Sequence, residues 1–272
     1  MSTLIMFFTF SREALQYVSM NFVDTHCHIH SSDYTINPNE AIARASAAGV
    51  TKLICVGTEE KDSQQAVLFA QEHQNVWASI GLHPHDAKLG QEAFDDLAAL
   101  VNDPKVVAIG ECGLDYFYNH SAKEDQEAAL RFQLALAQKH NLPMIFHVRD
   151  AFADFWPIFD SYVGIKGVIH SFTGISKELD EALDRGLYIG LNGIMTFTKD
   201  EYQLLAAQSV PLERLLLETD APFLTPVPLR GKVNEPKNVV LTAEFLGTLR
   251  DESLETIGSA STRNAIELFN LV

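Results

Sequence analysis

Val106-Val107-Ala108-Ile109 runs into Gly110-Glu111-Cys112-Gly113-Leu114-Asp115. A long stretch with helical spacing follows over residues 123–140, and then comes Met144-Ile145-Phe146-His147-Val148. The outer two are short apolar runs, while the middle one puts Leu130, Leu134 and Ala137 on a single helical face. Strand, helix, strand in that order is a parallel βαβ unit. Outward from it the same alternation repeats. Residues 22–29, 50–56 and 76–82 read as earlier strands, and 168–171, 187–191 and 215–218 as later ones. Helical patterns fall at 39–48, 62–73, 93–101, 151–162, 176–185, 200–208 and 237–250, and residues 253–271 read as one or two closing helices. Eight units after position 20 average about 31 residues, the size of one βαβ repeat. The fold class is therefore α/β, and the architecture expected is a single (β/α)8 TIM barrel, which typically takes about 250 residues. The alternative is a doubly wound open sheet, but no Gly-x-Gly-x-x-Gly follows the first strand.

The chain has 272 residues, 47 % of them apolar and 21 % charged. That composition excludes a disordered chain, a collagen and a disulfide scaffold. Thirty-six acidic against 20 basic residues give a net charge of −16, which disfavours coating a DNA duplex through a broad basic face. A local pocket holding one phosphate with metal is still compatible with it. Three cysteines, Cys27, Cys55 and Cys112, fit a reducing, cytoplasmic setting. Residues 4–10 are apolar, but seven residues fall far short of the roughly 20 needed to span a bilayer. Residues 1–19 are expected to be an N-terminal extension outside the fold, with Met20 the natural start and 20–272 the barrel.

Barrel enzymes build their sites at the C-terminal ends of the strands. Strand one ends in Asp24-Thr25-His26-Cys27-His28, and because alternate residues share a face, His26 and His28 point together. Strand three ends in Gly81-Leu82-His83-Pro84-His85 and strand four in Glu111 to Asp115. Strands five and six end at His147 and His170, and strand eight at Glu218-Thr219-Asp220. One histidine on an apolar strand is ordinarily a hydrogen-bonded core residue. Several strands doing the same, joined by Glu111 and Asp220, point to a metal site, since buried ionisable groups cost several kcal/mol unless paired or metal-bound. Imidazole and carboxylate donors suit Zn, Mn, Ni or Fe, and Mg where carboxylates and waters dominate. Six donors exceed one tetrahedral centre and match two bridged divalent ions. A hydrolase using an activated water follows, with Asp220 placed to face both metal and water.

These segments, together with His170-Ser171-Phe172-Thr173-Gly174, Glu218-Thr219-Asp220-Ala221-Pro222 and residues 230–236, resemble the TatD-like deoxyribonucleases of the amidohydrolase superfamily. The resemblance runs in order from about residue 20 to the C-terminus. It implies a divalent-metal hydrolase cutting DNA phosphodiesters from the 3′ end, with magnesium commonly used, and the acidic body adds the expectation that strand ends and single strands are preferred. By it His26 and His28 hold one ion, His147 and His170 the other, Glu111 bridges, and Asp220 completes the first site and acts as base. His83, Arg149 and Arg230 are candidate substrate contacts, Lys232 and Lys237 adding charge beside Arg230. Phe172 and Phe223 are candidates for stacking on a base, and Cys27 and Cys112 are expected to pack. The competing readings are a hydrolase of a small amide, lactone or ester, an aminoacyl-tRNA deacylase, and an inactive scaffold.

Overall fold

The computed structural model describes residues 20–118 and 120–272. The expectation for residues 1–19 lies outside them. Eight parallel strands follow one another around the sheet in chain order: β1 Phe22–Cys27, β2 Val50–Val56, β3 Val76–Ile80, β4 Val106–Asp115, β5 Met144–Arg149, β6 Gly167–Ile169, β7 Tyr188–Leu191 and β8 Leu215–Leu217. The helices between and after them are α1 Pro38–Ala47, α2 Glu60–Gln71, α3 Gln91–Leu100, α4 Lys123–His140, α5 Phe152–Phe159, α6 Ser176–Asp184, α7 Glu201–Ser209, α8 Val239–Arg250 and α9 Leu254–Phe269. The expected TIM barrel is present.

Alternate strand residues enter two different cores. Leu53 and Cys55, Met144 and Phe146, and Leu215 and Leu217 pack in the layer shared with the helices. Their neighbours Ile54, Val56, Ile145, Val168 and Leu216 pack together on the other face, with Leu268 and Phe269. Period two fixes what comes next. The file Ile145, His147 and the pair Val168, His170 carry the inward face upward, and so do Leu216 and Glu218.

The ring closes through side chains as much as through the ladder. Thr25 Oγ1 donates to the Leu217 carbonyl at 3.0 Å. Buried Asp24 accepts from the Thr219 backbone N–H at 2.9 Å and from Thr219 Oγ1 at 2.6 Å. Asp220 N–H then donates to the His26 carbonyl, and His28 N–H to the Ala221 carbonyl. Thr219→Val leaves one oxygen of a fully buried carboxyl unsatisfied, at an expected cost of about 1–3 kcal/mol. A lowered urea midpoint checks this; an unchanged one would show that the Asp24–Thr219 contact does not hold the ring.

Most strand ends differ from the sequence reading by a residue or two, and β4 by more. β4 runs on through Glu111 to Asp115 instead of giving way at Gly110. Gly113 permits this: its φ is +147°, and a Cβ there would lie 1.9 Å from the His147 carbonyl oxygen of the paired strand. β6 and β8 stop at Ile169 and Leu217, because Ser171 and Asp220 take positive φ values, 46° and 57°, that a strand cannot continue.

Candidate metal centre

Glu111 lies at the focus of the barrel mouth. Its Oε2 is 3.3 Å from His26 Nε2, and its Oε1 is 3.0 Å from His147 Nδ1, 3.4 Å from His83 Nε2 and 3.6 Å from His170 Nε2. Burial opposes its ionisation, yet the His170 and His83 imidazoles and hydrogen bonds with His147 and His26 hold its pKa well below the carboxylate range. His26 Nε2 and His28 Nε2, on one face of the strand, converge to 3.1 Å, and Asp220 Oδ1 is 3.2 Å from the second of them. Burial also opposes ionisation of Asp220, and His28, His170 and His26 overcome it. The donor atoms gather as His26, His28, Glu111; as His26, His170, Asp220; and as His83, Glu111, His147, each set within 4.8 Å. All six expected ligands therefore meet. His170 sits nearer to His26, with which it stacks at 3.6 Å, than to His147, whose ring centroid is 6.4 Å away.

Behind the inner atoms stands a row of acceptors that orients the rings. His28 Nδ1 donates to the Val56 carbonyl at 2.8 Å, leaving the Nε2 lone pair facing the centre. His147 Nε2 donates to Asp115 Oδ2 at 2.9 Å, so Nδ1 faces Glu111. His170 Nδ1 lies 3.0 Å from Glu218 Oε1, a charge contact without hydrogen-bond alignment, since that nitrogen has no hydrogen-bond partner. Glu218 Oε1 is also held by the Ser171 N–H at 2.6 Å and Asn192 Nδ2 at 3.3 Å. Burial opposes the charge on His170, but Glu218 and Glu111 raise its pKa to about 10. Carboxylates behind ligating histidines are the arrangement that fixes ring orientation and raises ligand basicity.

Asp115, Glu218 and Asn192 were missed as functional residues in the sequence reading. For the two acids a signal existed. Asp115 is four residues beyond Glu111, and Glu218 two before Asp220, so each falls on the inward face by strand parity.

The donor set fits divalent cations. Glu111, Asp115, Glu218 and Asp220 are one concentrated acidic group, yet among the described residues their ion-pair partners are histidines alone, with no Lys or Arg. Buried charge without such compensation is expensive. His26 Nδ1 is moreover buried without a hydrogen-bond partner, and burial together with His170 lowers the pKa of that ring, so it presents a neutral donor.

His83 differs from the others. Its Nδ1 accepts the His85 N–H at 3.1 Å, capping the short turn Pro84–Leu89. Burial pushes its pKa down to about 4, so the ring is neutral and its proton sits on Nε2, which points at Glu111. It is a hydrogen-bond donor into the cavity as well as a turn cap.

The cavity above these groups measures about 660 Å3. Arg149 is the one Lys or Arg on its wall among the described residues. It makes no ion pair with Asp150 or Asp154, and its guanidinium lies 4.0 Å from the Phe117 ring centroid. Phe223 is 57 % exposed on the same wall, whereas Phe172 is buried packing. Arg230 is not brought to the cavity; it lies 3.8 Å over the Phe197 ring and donates to the Thr225 carbonyl. Cys27 and Cys112 are buried against the Ile54 and Ile145 carbonyls, as packing residues.

The family model described as TatD related DNase matches residues 23–270. This chain belongs to that family. A TatD-family chain is a metal-dependent hydrolase of phosphodiester bonds, and the gathered donors are what such an enzyme requires. Among its relatives is a 3′-5′ ssDNA/RNA exonuclease TatD of Salmonella typhimurium. It is 36 % identical over 260 residues, covering 92 % of this chain and 99 % of the relative. The metal-dependent hydrolase YabD of Bacillus subtilis, itself described as uncharacterized, is 38 % identical over 251 residues, covering 91 % and 98 %. The crystal structure of the TatD homologue YjjV of Escherichia coli superposes with a TM-score of 0.86 at 30 % identity, covering 92 % and 98 %.

Proposed function

We propose that this TatD-family protein is an exonuclease that removes nucleotides from the 3′ end of single-stranded DNA, with two divalent ions as its resident cofactor. The observation that carries the reading is Glu111, whose two oxygens face different histidines, His26 on one side and His147 and His170 on the other. His26, His28, Glu111 and Asp220 would hold one ion, and Glu111, His147 and His170 the other. When bound, such ions polarise the phosphate and lower the pKa of water.

The protein supplies the rest. Asp220, kept ionised by its histidines, takes the proton of the attacking water at Oδ1. His83 Nε2–H donates to a non-bridging phosphate oxygen, where charge builds up. Arg149, without an acidic partner, takes a neighbouring phosphate. Single strands suit a site sunk in a barrel mouth, which a duplex cannot enter without fraying. No helix among the described residues is long and apolar enough to cross a membrane, and the three free cysteines suit the cytoplasm.

With so acidic a body and one basic residue on the cavity wall, binding releases few counterions. The expected salt dependence of log affinity is a slope of roughly −1 to −2 at about 0.7 per single-strand contact. The test is release of a labelled mononucleotide from 3′-labelled single-stranded DNA, with salt varied and metals removed and reloaded. Equal cutting of closed circular duplex, a steep slope, or zero bound metal at millimolar concentration would each overturn the reading.

A further inference from the structure

A second cavity of about 590 Å3 opens on the far side of Arg149, which is a wall of both. Its lining includes Phe117, Phe152, Trp156, Ile175 and Lys177. Phe117 is 53 % exposed and Ile175 43 %, next to a charged barrel rim where large apolar side chains have no packing role. Exposed apolar surface beside a reaction centre marks binding. The carboxylates of this cavity are mostly engaged internally. Glu178 Oε2 accepts the Ile175 N–H at 3.1 Å, and Glu181 holds Trp156 Nε1 at 2.7 Å with Lys177 at 3.7 Å. What it offers a ligand is therefore flat apolar area and a cation at the threshold.

The partition between the cavities is ordered from the catalytic side. Asp115 Oδ1 accepts the backbone N–H groups of Phe117 and Tyr118, at 3.0 and 2.9 Å, while its Oδ2 holds His147. Phe117 and Tyr118 meet edge to face at 4.8 Å, and Arg149 lies over both rings. One guanidinium between two aromatic rings, Tyr118 beside the first cavity and Phe117 beside the second, suits a strand in which bases flank a phosphate.

We propose that this second cavity is a nucleoside subsite, in which the nucleotide on the 5′ side of the scissile phosphate stacks its base on Phe117 while Arg149 holds the next phosphate of the strand. The proposal rests on the exonuclease reading above and adds what recognises the strand beyond the reacting phosphate. Tyr118, within 5.5 Å of the His85 ring, lies on the reaction side of that partition.

The experiment compares two substrates on the metal-loaded enzyme. One is a 3′-labelled single-stranded decamer; the other is a p-nitrophenyl ester of thymidine 5′-phosphate, too short to occupy both cavities. Phe117→Ala is expected to raise KM for the decamer about 10-fold, from the loss of one base stack, with kcat little altered. The short ester reports the chemistry alone and keeps its wild-type kcat/KM, and Phe117→Trp restores the decamer KM. Because the ring is half exposed, an unchanged melting temperature shows that the variant is folded. An unaltered decamer KM in Phe117→Ala, or an equal loss on both substrates, overturns the subsite while leaving the exonuclease intact. A wild-type enzyme that cleaves the ester and not the decamer overturns the exonuclease reading, and the subsite with it.

Discussion

Asp220→Asn is expected to cut turnover of 3′-labelled single-stranded DNA by about 10²–10⁴-fold, the span a positioned general base contributes. Asparagine is nearly isosteric and still offers an oxygen toward His28, but it cannot take a proton. Metal content and DNA affinity are therefore expected to stay near wild type, and the loss should lie in kcat. The local backbone supports this separation. Asp220 is fixed by its N–H bond to the His26 carbonyl and by the Phe223 N–H bond to its own carbonyl, neither of which needs the carboxylate. Single-turnover kinetics with metal analysis on the same preparation check it. A variant that keeps most of the wild-type rate would remove Asp220 from the proton-accepting role.

Glu111→Gln is expected to be broader in its damage, because one carboxylate answers to four imidazoles. Removing one partner of a buried charged group typically costs about 3–5 kcal/mol. If that cost falls on the transition state, the rate drops by roughly 10²–10⁴-fold at 1.36 kcal/mol per tenfold. Unlike Asp220→Asn, this variant is expected to lose metal, at least one equivalent after chelation and reloading. The two substitutions are thus separated by metal analysis even where their rates agree. Full metal occupancy in Glu111→Gln would show that the Glu111 carboxylate is not what holds the ions.

The barrel was legible because its strands are short apolar runs with a repeating helix between them, and the ligands because histidines at strand ends are unusual. What was hidden has physical causes. β4 reads as ending before Gly110, yet glycine at 110 and 113 is what lets the strand pass within van der Waals limits of β5. Strand parity puts Asp115 and Glu218 on the inward face, but nothing local reveals which histidine each will stand behind. The direction of the His83 proton depends on a turn two residues on, which only coordinates display. Arg230 reads as a basic spot for phosphate because charge is visible in a sequence, while the Phe197 ring that occupies its guanidinium is 33 positions away.

The seam between β1 and β8 has a bearing on how the protein is made. His26 and His28 leave the ribosome first, and Asp220, with the Thr219 that locks Asp24, follows almost 200 residues later. At about 5–20 residues per second that interval is roughly 10–40 s. Throughout it the early histidines lack Asp220 and have no closed ring around them. A nascent chain, or one truncated ahead of β8, therefore carries no working nuclease, and cutting activity arises only once β8 and Asp220 have closed the ring.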